Sequence, residues 1–270
     1  SHAVNASASG VTKTNVSISY SYFHDLSPIA ISTQVGVSDW TLEYSKLDHL
    51  YSGLGAQGCH GSLWRMDDAH DITIRYNNIS NAAGSNWIGA YNGANYNINV
   101  YGNYFYCDDI VNNCWASPGI ISSEHISGDP DVSGYRVYNN SFYNIHGMDP
   151  DGRNVSIPYM VFFEGGTGTG NYVYNNIFYN SNPGSYILNA TAHENNASDE
   201  IITGDIGFQL LTANPFIDSN NKDFRLLTAL NSGTVISYPY NQDMLGNIRG
   251  TDGVWDFGAY EYVGGGIVQL

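Results

Sequence analysis

Basic residues are scarce in this chain. Nine Lys and Arg stand against 25 Asp and Glu over 270 residues, a formal net charge of −16. Only three of the nine are lysines: Lys13, Lys46 and Lys222. Nucleic-acid binding rests on cationic side chains neutralising phosphates, so this balance excludes it as a working expectation. The same shortage argues against anionic membrane surfaces and against polyanionic polymers that no cation screens. Charged residues of either sign make up 13% of the chain, about half the roughly 25% of an average domain. No apolar run approaches the roughly 18–20 residues that span a bilayer, so no membrane-crossing helix is expected. Cysteine is rare too, with Cys59, Cys107 and Cys114 only.

Turn-forming and strand-forming residues fill the space that charges leave. There are 31 Asn, 30 Gly and 22 Tyr, and 14% of residues are aromatic. That aromatic and aliphatic content is ample for a buried core and excludes disorder. Asn, Gly and Ser favour turns while Tyr, Val, Ile and Phe favour strands, which points to an all-β fold.

A repeat underlies the composition. Six segments share one pattern: ISYSYFHD from Ile18, LEYSKLDH from Leu42, IRYNNISN from Ile74, VYGNYFYC from Val100, VYNNSFYN from Val137 and VYNNIFYN from Val173. They align an aliphatic column (Ile18, Leu42, Ile74, Val100, Val137, Val173), a polar column (Ser21, Ser45, Asn77, Asn103, Asn140, Asn176) and a third, apolar column (Phe23, Leu47, Ile79, Phe105, Phe142, Phe178). A second short apolar stretch follows each, at Ile29–Ile31, Leu63–Trp64, Trp87–Ile88, Gly119–Ile121, Met160–Phe162 and Tyr186–Leu188. Apolar residues recur every second position, as in Ile72 and Ile74, so the repeat is built of strands rather than helices. Uneven spacing between repeats places the variation in loops. Short strands, turns and polar columns stacked in this way describe a solenoid.

On these columns the chain resembles the right-handed parallel β-helix superfamily, the pectate-lyase-like fold, over about residues 11–190. The resemblance implies that equivalent residues stack directly above one another about 4.8 Å apart. It also implies that the Asn column is an inward hydrogen-bonding ladder. Residues 191–270 lose the pattern. With KDFRLL from Lys222 and GNIRGTDGVWDFGAYEY from Gly246, they resemble the segment that follows the coil in large secreted bacterial β-helix proteins. The expected organisation is a parallel β-helix over 1–190 and a segment covering its C-terminal end over 191–270, finishing in a strand-like tail. An extracellular or cell-surface location follows from the same resemblance.

Candidate chemistry is concentrated after the second stretch of successive repeats, where Arg65, Asp67, Glu124, His125 and Glu164 fall. In β-helix enzymes the site lies on an exposed face of stacked strands, and a glycosidase needs two carboxyl groups roughly 5–9.5 Å apart. Asp67, Glu124 and Glu164 are the candidate carboxylates, with Arg65 and His125 beside them. Arg65 with His70 or His125 is the best lyase pair, and Asp67-Asp68-Ala-His70-Asp71 resembles the Asp-Pro-His motif of mannuronan epimerases. The polygalacturonase-like order of Asp-Asp before Gly-His-Gly is not met, because Cys59-His60-Gly61 precedes Asp67-Asp68. Trp64, Trp87, Trp115 and Tyr91 are aromatic surfaces on which sugar rings stack if exposed. Asp149 and Asp151 offer oxygen ligands for Ca²⁺; no other cofactor is expected. Cys107 and Cys114 flank a short loop that a disulfide would close. Seven Asn-x-Ser/Thr sequons, at Asn5, Asn15, Asn78, Asn139, Asn154, Asn189 and Asn196, are candidate glycosylation sites.

Two functions compete. The leading expectation is a secreted, non-catalytic structural protein that self-associates head-to-tail through exposed coil edges, glycosylated on its outside. Ile267, Val268 and Leu270 of the tail would add a strand to a neighbour's edge. The alternative is a polysaccharide-active enzyme, hydrolase before lyase or epimerase, using the face named above.

Overall fold

The computed structural model describes residues 2–6, 13–26, 29–34, 36–51, 62–108, 114–123, 132–146, 159–164 and 169–264. It is a right-handed parallel β-helix whose coils present three sheets. Sheet I contains Lys13–Ser19, Val37–Glu43, Ala69–Arg75, Tyr96–Tyr101, Arg136–Tyr138, Tyr172–Tyr174 and Ala192–Glu194. Sheet II contains Tyr22–Leu26, Lys46–Tyr51, the first part of Asn78–Ala90, Tyr104–Tyr106, Ser141–Tyr143, Ile177–Tyr179, Ala197–Ser198 and Gln209–Leu210. Sheet III contains His2–Ala6, Ile29–Thr33, Ser62–Met66, the second part of Asn78–Ala90, Trp115–Ser123, Tyr159–Phe163 and Ser185–Leu188. Coil 1 is taken here as residues 13–33, and coil 7 opens with Ala192–Glu194.

The aliphatic column lies in register along sheet I, with Ile18 on Leu42, Ile74 on Val100, and Val137 on Val173. The third column does the same in sheet II. Each repeat of eight residues is therefore two strands rather than one. They are separated by a corner residue with positive φ: Tyr20, Tyr44, Tyr76, Gly102, Asn139, Asn175 and Asn195. Two further columns turn the chain in the same way. One is Asp25, His49, Asn81, Asn144 and Asn180, at or near the end of the sheet II strands; the other is Asn15, Asp39, Asp71, Asn97, Gly134 and Gly170, within or just before the sheet I strands. Asn, Asp and Gly enter the left-handed region at least cost, which accounts for their abundance. At Gly102 the requirement is double, because φ is +65° and a Cβ would meet the Tyr76 ring at 2.7 Å.

Immediately after the corner between sheets I and II, the polar column turns inward. Asn77, Asn103, Asn140, Asn176 and Asn196 are buried. Each side-chain Nδ2 donates to the Oδ1 of the next coil, at 3.0, 3.0, 3.1 and 2.9 Å. Each Oδ1 also accepts a backbone N–H from the coil below. The second Nδ2 proton reaches down to a carbonyl, as from Asn140 to Val100 and from Asn176 to Val137. Every polar atom of these amides is thereby satisfied in a dry interior. The ladder ends above at Asp205, whose carboxylate accepts from both the backbone N and Nδ2 of Asn196. Inside sheet II the rings of Phe105, Phe142 and Phe178 stack with centroids 4.7 and 4.8 Å apart.

The coil extends beyond residue 190: Ala192–Glu194 and Ala197–Ser198 lie on coil 6, and Gln209–Leu210 stacks in turn on Ala197–Ser198 as the start of a further layer. Part of the C-terminal segment covers that end: Ile202 is buried in the coil core and Phe208 packs against it. The longer part does something else. Residues 211–263 return along the outside of the coil, over the outward tyrosines of sheet II and of the corner between sheets I and II. Phe224 lies against Tyr104, Tyr106 and Tyr143, and Tyr240 meets Tyr101 and Tyr138 edge-on. Trp255 Nε1 donates to Asn139 Oδ1 at 3.3 Å, and Ala259 N donates to Ser141 Oγ at 2.9 Å. Gly258, with φ +81°, allows this close approach, since a Cβ would collide with Ile177 and Ser141.

Candidate functional site

The residues after sheet III stack as the register requires: Met66 on Ala90, Ala90 on Ser123, and Ser123 on Phe163. Asp67 and Glu164 thus follow strands that are three spacings apart, or about 14 Å at roughly 4.8 Å per strand. That is beyond the carboxylate separation of either glycosidase class. Glu124 and His125 lie outside the described residues, as do Asp149, Asp151, Asn154, Cys59, His60 and the tail residues Ile267, Val268 and Leu270.

Asp67 is buried and its carboxylate is fully engaged. Arg65 donates to it through Nε at 2.8 Å and through Nη2 at 3.2 Å. Asn92 adds its backbone N–H at 3.2 Å and its side-chain Nδ2 at 2.8 Å. The Arg65 guanidinium lies over the Tyr91 ring, 4.6 Å from its centroid. Tyr91 is itself buried, its hydroxyl bonding Asn86 Oδ1 and Ser62 Oγ. A carboxylate with four donors ties the turns of coils 2 and 3 together and has little freedom to take a proton from a substrate. Trp64 and Trp87 are entirely buried in the coil core. The expectation that they stack on sugars is corrected: their rings fill the interior because sheet III turns them inward. His70 pairs with Asp71 at 2.7 Å, and its ring stacks on Tyr96 rather than facing Arg65.

A second constellation escaped the sequence reading. Asp48, in sheet II, accepts from Ser80 Oγ at 2.8 Å and Asn81 Nδ2 at 3.0 Å, and pairs with Lys46 and His49 at 3.2 and 2.9 Å. Burial opposes its charge, but the bonds from Ser80, Asn81 and Lys46 outweigh that and hold its carboxyl below the ordinary range. The signal was present, since Asp48 and Ser80 share a column one coil apart. This carboxylate is also committed to holding neighbouring coils. Among the described residues no three His, Cys, Asp or Glu side chains converge as a metal would need. No described helix is long and apolar enough to cross a membrane. Cys107 and Cys114 are joined in a disulfide with their Cα atoms 6.1 Å apart.

The sequons divide by position. Asn5, Asn15 and Asn189 are exposed, and Asn78 is partly buried. Asn139 and Asn196 are buried with their side chains in use, one under Trp255 and the other in the Asn ladder. Neither position can carry a glycan in this fold, which corrects the expectation for both.

The two ends of the coil differ from its sides. At the lower end, the outer edges of His2–Ala6, Lys13–Ser19 and Tyr22–Leu26 have no strand beside them among the described residues. Val4, Val16, Ile18, Phe23 and Leu26, which belong to the interior columns, are only partly buried there. At the upper end, Ile201, Ile206 and Leu210 are exposed around the buried Ile202. Residues 192–210 hold four acids (Glu194, Asp199, Glu200, Asp205) and no Lys or Arg, whereas residues 13–33 hold one Lys and one Asp. No family model, curated protein or solved structure matches this chain.

Proposed function

We propose that this chain is an extracellular, non-catalytic structural protein of the pectate-lyase-like superfamily, which stacks head-to-tail through the ends of its coil. One observation carries the reading: among the described residues the lowest strand edges have no strand beside them, whereas the outward tyrosines of coils 4 and 5 are packed under the returning segment. Unpaired parallel edges and half-covered interior side chains at coil 1 invite another layer, as exposed strand edges do. The upper end offers exposed aliphatic residues of its own. Its four acids would repel a second upper end, whereas coil 1 carries no net charge, so unlike ends meet more readily than like ends. A contact between different surfaces propagates into an open chain when its rotation does not close. Glycans on Asn5, Asn15 and Asn189 would decorate such a filament. The engagement of Asp67 and Asp48 with their own neighbours supports the non-catalytic side of the reading.

Mass photometry over a concentration series, followed by negative-stain electron microscopy, tests it. Linear chains whose repeat matches one coil length are expected. A monomer at every concentration, with the fold intact by circular dichroism, would overturn the reading. Release of sugars from neutral or acidic polysaccharides would do so independently.

A further inference from the structure

Neither end of the coil is flat. Below coil 1, sheet III has one further strand, His2–Ala6, lying under Ile29–Thr33. Sheets I and II have no such strand among the described residues and stop at Lys13–Ser19 and Tyr22–Leu26. The upper end is stepped the opposite way. Above coil 7, sheet I has a bridge from Ile206 to Glu194, and sheet II has Gln209–Leu210 on Ala197–Ser198. Sheet III has no strand above Ser185–Leu188 among the described residues. There residues 199–205 cross from sheet II to sheet I without forming a strand, and Ile202 turns into the core. One end therefore holds the third sheet of a coil, and the other holds the first two.

We infer that in a head-to-tail stack these two part-coils complete one another. Ile206 and Gln209–Leu210 of one copy, with His2–Ala6 of the next, form a single composite coil of two chains. Chain order permits this, because every coil runs through sheets I, II and III in turn. The first copy leaves the coil after its sheet II strand; the second enters in sheet III and continues into sheet I at Lys13. The side chains fit the same register. Leu210 stands above Ser198 and Phe178 in the inward column that begins at Phe23. It is nonetheless 52% exposed, and Phe23 at the other end is only partly buried. In the composite coil Phe23 rests on Leu210 and each covers the other, while Tyr22 rests on Gln209 in the outward column. The charges agree as well. Lys13 Nζ is buried at the lower end without a hydrogen-bond partner, which is costly for an ammonium, and the upper end brings four acids to meet it. This junction rests on the end-to-end reading and fixes which layers meet in it.

Crosslinking reads the register directly. Positions 22 and 209 of adjoining copies would lie about 4.8 Å apart, within reach of a disulfide. Two variants of the full chain, Tyr22→Cys and Gln209→Cys, are made together with Cys59→Ser so that no other free thiol competes. On oxidation each alone should stay uncrosslinked, their mixture should give covalent dimers, and a chain carrying both should give a ladder of multimers. Leu210→Asp sets a charge against Phe23 and should raise the concentration needed for stacking roughly tenfold or more, with the β-sheet spectrum kept. If the parent stacks but neither the mixture nor the double variant crosslinks, or Leu210→Asp stacks as the parent does, the composite coil is wrong while the end-to-end reading stands. Crosslinking of either single variant by itself would mean that like ends meet. That result overturns both, as does a parent that never stacks.

Discussion

The interior of the coil and the segment that returns along its outside are held by opposite means. The interior repeats one solution: an Asn amide over an Asn amide, and a Phe ring over a Phe ring. The outer segment repeats nothing. Phe216, Phe224, Trp255, Phe257 and Arg249 each occupy a site found once. A repetitive interior distributes stability over nearest-neighbour interfaces, as in other solenoids, so a lesion weakens two junctions and leaves the rest. The single-copy segment spans coils 3 to 7 and binds them into one unit, which lets local coils cooperate.

The sharpest way to break the comparison is at the centre of the interior. Phe142→Ala removes a ring sandwiched between two others, and a loss of about 3–5 kcal/mol is expected, measurable by urea denaturation. Asn140→Ala leaves the backbone N and Nδ2 of Asn103 without their acceptor. Each buried donor orphaned in this way costs about 1–3 kcal/mol, so the total should approach that of Phe142. Hydrogen exchange should show the damage confined to coils 4 to 6. Phe224→Ala, in the outer segment, should cost about 3 kcal/mol or more. Its exchange signature should differ, spreading over the outward strands of coils 4 and 5 and over residues 211–263 together. Local loss in this variant would mean that the segment does not couple the coils.

Acidity separates the two regions again. Burial raises Glu261 to about 7, and Asp256 is also raised by burial. A carboxyl whose folded value lies above its unfolded value of 4.5 weakens the fold when ionised. The outer segment should therefore gain stability as pH falls from above 7 towards 4.5 and gain nothing further below that. In the coil, Asp48 and Asp71 lie below their ordinary values, so their contribution is complete above about 4 and is lost in stronger acid. A stability optimum between these limits is expected in thermal melts across pH, and a flat profile from neutral to mildly acidic pH would contradict the assignment to Glu261. The smallest effect should come from Lys222→Ala. That residue pairs with Asp108 and lies over Tyr106, but exposed pairs contribute under about 1 kcal/mol.

Much of the interior was legible because a stacked coil repeats its columns in the sequence. The columns from Ile18 to Val173 and from Phe23 to Phe178 coincide with the strand register. The last coil was hidden because Asn196 follows Asn176 by only 20 residues and Ser198 stands where Phe is expected. The outer segment was illegible for a different reason. Its partners are outward tyrosines such as Tyr104, Tyr106 and Tyr143, and alternation cannot say whether an outward ring meets water or protein. Arg65 and Asp67 were recognisable as residues capable of chemistry. That they neutralise one another depends on a turn two residues long, which composition and spacing do not report.

The Asn ladder has one more property. From Asn77 to Asn196 the side-chain carbonyls point towards coil 1 and the donating N–H groups towards coil 7. Five amides aligned in one chain polarise one another and sum to an axial dipole whose positive end meets the Asp205 carboxylate, much as an acidic residue complements the N-terminus of an α-helix. The coil therefore has an electrical direction as well as a chemical one. Two coils placed in line with the same sense add their dipoles, whereas two coils meeting with opposite senses set like poles together.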